Sequence, residues 1–241
     1  MIKQGIIKIR ERIASACRRA GRQPAEIILV AVSKGRTVDE MRAAFEAGIT
    51  HIGESRVQEA KLKYDALREE SRKDPVGWHM VGHLQRNKVR QAVALFELIH
   101  SVDSVACARA VDREAARIHK VQDILLEIKT SPETSKYGIH PEEAAGVLRT
   151  ISAFDNIAVK GLMTIAPYKR RGEDARPYFR TLRQLRDNLN AQGAPTRRSI
   201  SSGQPERLRM LSMGMTDDFE TAIEEGATMV RIGRAIFEER G

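Results

Sequence analysis

Two scarcities narrow the class of protein before any motif is considered. Only two cysteines, Cys17 and Cys107, occur in 241 residues, and both fall in segments of helical pattern. They support neither a disulfide framework nor a cysteine metal site. No apolar run approaches the roughly 20 residues of a membrane helix, and the charged N-terminus Met1–Gln4 lacks a signal-peptide core. We therefore expect a cytoplasmic protein that does not contact membranes.

The composition is that of an ordinary globular protein with a basic excess. With 41% hydrophobic and 30% charged residues, the chain can bury one sizeable core, and we expect a single domain over residues 1–241. Lysine and arginine number 41 against 32 acidic residues, a net charge of +9, which favours anionic ligands or nucleic acid. Much of the arginine lies along amphipathic helices such as residues 178–186. Solvated helix faces explain the excess without a nucleic-acid partner.

One stretch organises the rest of the chain, residues 27–36, Ile-Ile-Leu-Val-Ala-Val-Ser-Lys-Gly-Arg. Six apolar residues closed by Ser-Lys-Gly predict a strand that is buried on both faces and delivers Lys34 at its end. An ammonium held there is expected to be partly desolvated, which favours the free amine and a Schiff base with an aldehyde. Lys34 is our candidate for the functional centre. The alternative is a strand-end lysine whose head reaches solvent.

Strand and helix patterns alternate along the whole chain. A helical pattern over residues 2–20 precedes the first strand, and seven further strand patterns follow with helical patterns between them. Eight such units in a chain of about 250 residues predict a (β/α)8 TIM-type barrel with an extra N-terminal helix. A doubly wound open sheet is the alternative, but no Gly-x-Gly-x-x-Gly follows the first strand. The predicted strands are residues 27–32, 49–54, 76–83, 98–102, 124–129, 157–164, 208–213 and 228–233.

The C-terminal ends of barrel strands form the face where this fold carries its chemistry. The loops after the seventh and eighth strands are its usual phosphate site, and here Ser212-Met213-Gly214 and Gly233-Arg234 each lead into a predicted helix. Helix N-termini favour an anion. Either glycine alone also suits a plain turn, but both together, opposite a strand-end lysine, predict phosphate binding. The polar residues at the predicted strand ends are Lys34, Glu54, His83, Ser101, Lys129, Thr164, Ser212 and Arg231.

A pair of histidines, His79 and His83, raises the question of a metal site. On a helix, two residues four apart share a face, but on a strand the same spacing separates them by about 13 Å. Because both fall in a predicted strand, one metal ion cannot bridge them, and no metal is expected.

Seven motifs, in order and at compatible spacing from the first strand to the last, resemble the pyridoxal-phosphate homeostasis proteins. That family is related to the N-terminal barrel of alanine racemase. The motifs are Ala31-Val32-Ser33-Lys34; Gly53-Glu54 with Val57-Gln58-Glu59; Trp78 to Gln85 with Asn87-Lys88; Ser135-Lys136-Tyr137-Gly138; Gly161-Leu162-Met163; Leu211-Ser212-Met213-Gly214-Met215; and Val230-Arg231-Ile232-Gly233.

The resemblance implies a cofactor and a place for it. Lys34 is implied to hold pyridoxal 5′-phosphate (PLP) as a Schiff base, Ser212 and Gly233 with its neighbour to hold the phosphate, and Arg231 to face the pyridine nitrogen. An arginine does not give up its proton, so it would keep that nitrogen unprotonated and weaken the ring as an electron sink. The full cofactor-binding set expected is Lys34, Glu54, His83, Ser212, Met213, Gly214, Arg231, Gly233 and Arg234.

The chain also departs from the family pattern at four positions. Ser55-Arg56 stands where Asn-Tyr is common, and Arg86 stands where serine is usual. Arg234 replaces a threonine, which removes a hydroxyl donor to the phosphate but offers a charge-assisted contact in its place.

The expected function is PLP binding in intracellular vitamin B6 homeostasis, without catalytic turnover. We expect a monomer, with apo PLP-dependent enzymes as the acceptors of its PLP. One rival is a PLP-dependent amino-acid racemase. It would need a second base, which the related racemases take from a separate C-terminal domain, whereas this chain ends just after the eighth strand. Of its four tyrosines only Tyr137 and Tyr168 fall in loops of the expected active face. The other rival is a cofactor-free Schiff-base aldolase using Lys34.

Overall fold

The structure is a computed structural model that describes residues 1–73, 75–131, 137–167, 172–193 and 207–238. The family-like residues Ser135 and Lys136, and the loop residue Tyr168, lie outside this part of the chain. No helix within it is long and apolar enough to cross a bilayer.

Eight parallel strands close into a barrel in the order of the sequence, which confirms the predicted fold. The first strand pairs with the eighth, with Ile28 opposite Met229 and Val30 opposite Arg231. This closure excludes the open-sheet alternative. The strands are β1 (Ile28–Val32), β2 (His51–Glu54), β3 (Gly77–Met80), β4 (Leu98–Val102), β5 (Gln122–Glu127), β6 (Ile157–Met163), β7 (Met210–Ser212) and β8 (Met229–Ile232).

Helices surround the barrel, and the N-terminal helix is present as predicted. Thr37 caps the helix after β1 in a capping box with Glu40, the reciprocal pairing expected from their three-residue spacing. Two helices, rather than one, lie between β2 and β3. The helices are α1 (Ile2–Arg19), α2 (Val38–Glu46), α3 (Val57–Ala66), α4 (Arg68–Lys73), α5 (Val89–Leu95), α6 (Val105–Ala116), α7 (Ala144–Ile151), α8 (Arg176–Ala191), α9 (Phe219–Glu224) and α10 (Arg234–Phe237).

The core has two parts because a barrel has two faces. The larger cluster lies between the outer face of the sheet and the helices. A smaller cluster joins side chains from six strands, which can meet only inside the barrel. Its members are Leu98, Leu125, Met163 and Met229, with Ile28 and Met210 packed against them.

Two predicted strand ends were wrong, and both matter for the site. The third strand ends at Met80, so His83 lies in the loop that follows. The fifth strand ends at Glu127, two residues before Lys129, and Ile128 beyond it forms an isolated bridge with Ile139. Beyond β5, the Lys129 amide donates to the carbonyl of Ile139.

Candidate functional site

The candidate centre, Lys34, lies two residues beyond the end of β1 at the C-terminal mouth of the barrel. Its side chain is exposed and has no hydrogen-bonding partner among the described residues. The expectation of a partly desolvated ammonium is therefore wrong for this structure. The next residue, Gly35, has a φ of 70°, which turns the chain immediately after the lysine.

A buried ionic network supports the turn that carries Lys34. The Nζ atom of Lys63 on α3 donates to the Ser33 carbonyl (2.5 Å), to Glu54 Oε1 (2.7 Å) and to Glu59 Oε1 (2.6 Å). The Ser33 hydroxyl donates to the same Glu54 oxygen, and the Gly35 amide donates to Glu59. Both residues that flank the candidate lysine are thus held from the outer side of the sheet.

Glu54 belongs to this support rather than to the open face of the site. Its side chain is fully buried, and its Oε1 atom is occupied by Ser33 and Lys63. Burial raises the pKa of Glu54, and the hydrogen bonds from those two residues oppose the rise. Glu54 thus supports the turn in this structure, and its contact with a cofactor stays a prediction.

Arg231 is a buried cation at the top of the barrel, 5% exposed. Its Nη1 donates to Ser212 Oγ (2.6 Å) and its Nη2 to the Thr164 carbonyl (2.9 Å), but it forms no ion pair with any described residue. Burial lowers its pKa to about 10, an effect opposed by the carboxylates of Asp218 and Glu127. The guanidinium therefore stays charged at neutral pH and favours an acceptor or anion beside it.

The hydroxyl of Ser212 has a role that the sequence did not indicate. The residue is fully buried, and its Oγ contacts both Arg231 and Nδ1 of His100 (2.9 Å). The hydroxyl that was expected to reach a phosphate is instead engaged inside the barrel, where it links two other side chains.

In the loop after β7, which was predicted to bind a phosphate, the backbone packs closely against α9. Gly214 has a φ of 91°, and a Cβ there would lie 2.6 Å from Ala222 Cβ, so no other residue fits without strain. Its amide and that of Thr216 have no acceptor in the described part of the chain. The predicted neighbour Met213 does not share this property, because its side chain is buried and its amide donates to Met229.

The second loop brings its own glycine close to β1. A Cβ on Gly233 would lie 3.1 Å from the Val32 carbonyl oxygen, tight enough to displace a neighbour. The adjacent Arg234 pairs with Asp217 (2.6 Å) and so ties the two loops together. The guanidinium expected to contact a phosphate is already paired with a carboxylate.

His83 lies at the rim of the mouth, in contact with two other polar residues. Its ring stacks on that of Tyr137, with centroids 3.6 Å apart, and its Nδ1 is 3.5 Å from Asp103 Oδ2.

Sequence reasoning missed Glu127, the true end of β5. Burial and the nearby Asp103 raise its pKa to about 7, although Arg231 opposes the rise.

His79 does not face His83. It contacts His51 and His100 inside the barrel, each at 2.9 Å. No group of three side chains able to hold a metal ion occurs among the described residues.

The fold and this site define a class, the (β/α)8 barrels with a lysine after the first strand and an arginine on the eighth. A family model described as "Alanine racemase, N-terminal domain" matches residues 7–240. The pyridoxal phosphate homeostasis protein of Aquifex aeolicus is 41% identical over 233 residues, 97% of this chain and 96% of that protein. The protein of the same name from Escherichia coli is 34% identical and is matched over 97% of its length. This chain belongs to the pyridoxal phosphate homeostasis protein family.

Solved structures agree with the assignment. The structure of PipY from Synechococcus elongatus with PLP bound has a TM-score of 0.83 and 34% identity, covering 98% of this chain and all of that one. A protein of unknown function from Bifidobacterium adolescentis has a TM-score of 0.90 and 36% identity. An alanine racemase of Clostridium difficile has a TM-score of 0.70 at 12% identity, with 57% of its chain covered, and shows the fold alone.

Proposed function

We propose that this protein binds PLP on Lys34 and serves PLP homeostasis in the cytoplasm, as a monomeric carrier rather than a catalyst. The observation that carries the proposal is a juxtaposition on two adjacent strands. An exposed lysine without a described partner follows β1, and a buried arginine without an ion pair lies on β8, whose Arg231 is paired in register with Val30. Relatives that match nearly the whole chain are named for PLP homeostasis.

The residues present fit this cofactor. Lys34 would take the aldehyde as a Schiff base. The amides of Gly214 and Thr216, which have no acceptor among the described residues, would hold the phosphate together with the close-packed Gly233 loop. Arg231 would face the ring nitrogen. Bound PLP supplies an exchangeable imine carbon and an electron-withdrawing ring.

Arg231 is the residue that favours a carrier over a catalyst. Its guanidinium keeps its own proton, because a pKa near 10 leaves it charged at pH 7. A donor that never releases its proton leaves a facing nitrogen unprotonated, and the ring then accepts electrons poorly. Lys34 remains exposed and accessible, which suits a protein that takes up an aldehyde and releases it to apo PLP-dependent enzymes.

A trapping experiment tests the lysine. Wild-type protein, Lys34→Ala and the matched control Lys129→Ala are incubated with PLP, reduced with borohydride and mapped by peptide mass spectrometry. We expect the label on Lys34 in the wild type and in Lys129→Ala, and no label at this site in Lys34→Ala. An equal label on another lysine in Lys34→Ala would refute the assignment.

The same samples separate the rivals. α-Proton exchange of L-alanine in deuterated water should not exceed that of free PLP. Exchange that rises with protein concentration and disappears in Lys34→Ala would show a racemase-type enzyme. Borohydride inactivation of a sugar-cleaving activity without PLP would instead show an aldolase.

A further inference from the structure

Three histidines form a continuous row of hydrogen bonds through the inside of the barrel. His51 Nδ1 lies 2.9 Å from His79 Nε2, and His79 Nδ1 lies 2.9 Å from His100 Nε2. The row continues through Ser212 to Arg231, by contacts of 2.9 and 2.6 Å. We call these five residues the histidine row.

The row crosses the barrel from one end to the other. His51 begins β2, is half-buried and lines a cleft with Ile28 and Thr50 at the N-terminal strand ends. His79 on β3 is 3% exposed and His100 on β4 is fully buried. Barrel interiors are ordinarily filled by branched apolar residues, so three imidazoles placed in sequence need an explanation beyond packing.

The hydrogen bonds restrict where the protons can be. A neutral imidazole has one N–H donor and one acceptor nitrogen. His79 uses both of its nitrogens, one toward His51 and one toward His100. If its hydrogen is on Nε2, it donates to His51, and its Nδ1 must accept from Nε2 of His100. The same choice therefore repeats along the row, and all three histidines share one tautomer.

Ser212 decides between the two possible tautomers. Its Oγ already accepts from Arg231 Nη1. With hydrogens on the ε nitrogens, His100 Nδ1 is an acceptor, and the Ser212 hydroxyl donates to it. With hydrogens on the δ nitrogens, Oγ would accept twice, and its own hydrogen would find no other acceptor among the described residues. A buried donor left unpaired is unfavourable, so the first arrangement is preferred.

We propose that His51, His79 and His100 are positioning residues for Ser212 and Arg231, held together in the Nε2–H tautomer. The row keeps the Ser212 hydroxyl directed at His100, which leaves an Oγ lone pair directed at Arg231. Arg231 is thereby fixed from the inside of the barrel. The consequence for a ligand rests on the proposed function, but the arrangement of the protons does not.

The first test uses ligand-free protein labelled with ¹⁵N at its six histidines. At pH 7 we expect protonated Nε2 and unprotonated Nδ1 on His79 and His100. Couplings through the hydrogen bonds should join His79 Nε2 to His51 Nδ1 and His100 Nε2 to His79 Nδ1. A hydrogen on Nδ1 of either buried histidine, or a mixture of tautomers, would overturn the proposal.

The second test breaks the row at its far end. His51→Leu removes the acceptor for His79, so the ¹⁵N signals of His100 should change although His51 does not contact it. His51→Asn, whose amide oxygen can take the position of Nδ1 and accept, should restore them. His119→Asn is the matched control, because His119 is exposed and has a φ of 52°, which asparagine tolerates. An unchanged His100 in folded His51→Leu would overturn the relay.

The third readout is PLP itself. His51→Leu should alter the absorbance of bound PLP and weaken its binding about fivefold, the effect of about one hydrogen bond. His119→Asn should leave both unchanged. If wild-type protein fails to bind PLP, the proposed function fails while the NMR result still stands. If PLP binds and its spectrum is the same in His51→Leu, the positioning role is refuted.

Discussion

The buried histidines predict a steep loss of stability in acid. Burial lowers the pKa of His79 from 6.5 to about 3 and that of His100 well below its ordinary value, with smaller electrostatic contributions from neighbouring groups. At a pH between the unfolded and the folded pKa of these histidines, the unfolded chain binds protons that the folded chain does not. These two histidines therefore do not change the stability above about pH 6.5, and they lower it as the pH drops from there toward their folded pKa.

The size of the effect follows from the pKa of His79. At pH 5 the unfolded side chain is 1.5 pH units below its pKa of 6.5, whereas the folded one remains neutral. At about 1.4 kcal/mol per unit, this histidine alone lowers the free energy of unfolding by about 2 kcal/mol relative to pH 7. His100 adds to the loss in the same direction. Against a typical total of about 5–15 kcal/mol, this is a large fraction.

Urea unfolding followed by circular dichroism at pH 7 and pH 5 measures the loss. Buried carboxyl groups with raised pKa values, such as Glu54 and Asp218, work in the opposite sense, so the comparison needs a variant. His79→Gln is less stable at pH 7 but should lose about 2 kcal/mol less than wild type between the two pH values. An equal pH-dependent loss in both proteins would show that His79 is not the buried neutral base described here.

Two further predictions concern the groups around the mouth. Lys63→Met should lower the free energy of unfolding by about 3–5 kcal/mol, since it leaves Glu54 buried without its cation. The control Lys61→Met should cost less than about 1 kcal/mol, because the exposed Lys61 pairs with Asp65 at the surface. Similar melting temperatures for the two variants would contradict this prediction. Arg234→Thr breaks the ion pair with Asp217 and restores a hydroxyl, so the affinity for PLP should change by less than about tenfold. Pyridoxal, which has no phosphate, is the control ligand. Loss of PLP binding with pyridoxal binding retained would show that Arg234 itself holds the phosphate.

The barrel could be predicted from the sequence because each strand and helix has a strong local pattern. The capping box at Thr37 and the apolar run before Lys34 depend only on neighbouring residues. The end of β5 could not, because Ile128 and Lys129 beyond it pair with Ile139, which belongs to a later segment of the chain. Pairing of this kind leaves no local signal, and Glu127 rather than Lys129 ends the strand.

The site was predicted in part, and the rest depended on which way side chains face. Lys34, Arg231, Gly214 and Gly233 are at the mouth as expected. The pairing of Glu54 with Lys63 could not be predicted, because strand residues alternate between the two faces of the sheet and this one faces the helices. The three histidines of the row escaped detection since they lie on three strands, more than 20 residues apart in sequence. The inward alternation of His51, His79 and His100 is the only signal that the sequence offered.

The two candidate ligand residues are held by separate structures on opposite faces of the same sheet. Lys63 and Glu54 hold Ser33 before Lys34, and Glu59 holds Gly35 after it, all from the helical side. The charges of these three side chains are paired with one another. Arg231 is fixed through Ser212 from the barrel interior by groups that are all neutral. Because Arg231 forms no ion pair with any described residue while Lys34 is exposed, an anionic aldehyde would meet a buried cation on β8 and an accessible amine after β1. That division suits a protein that holds a cofactor and then releases it.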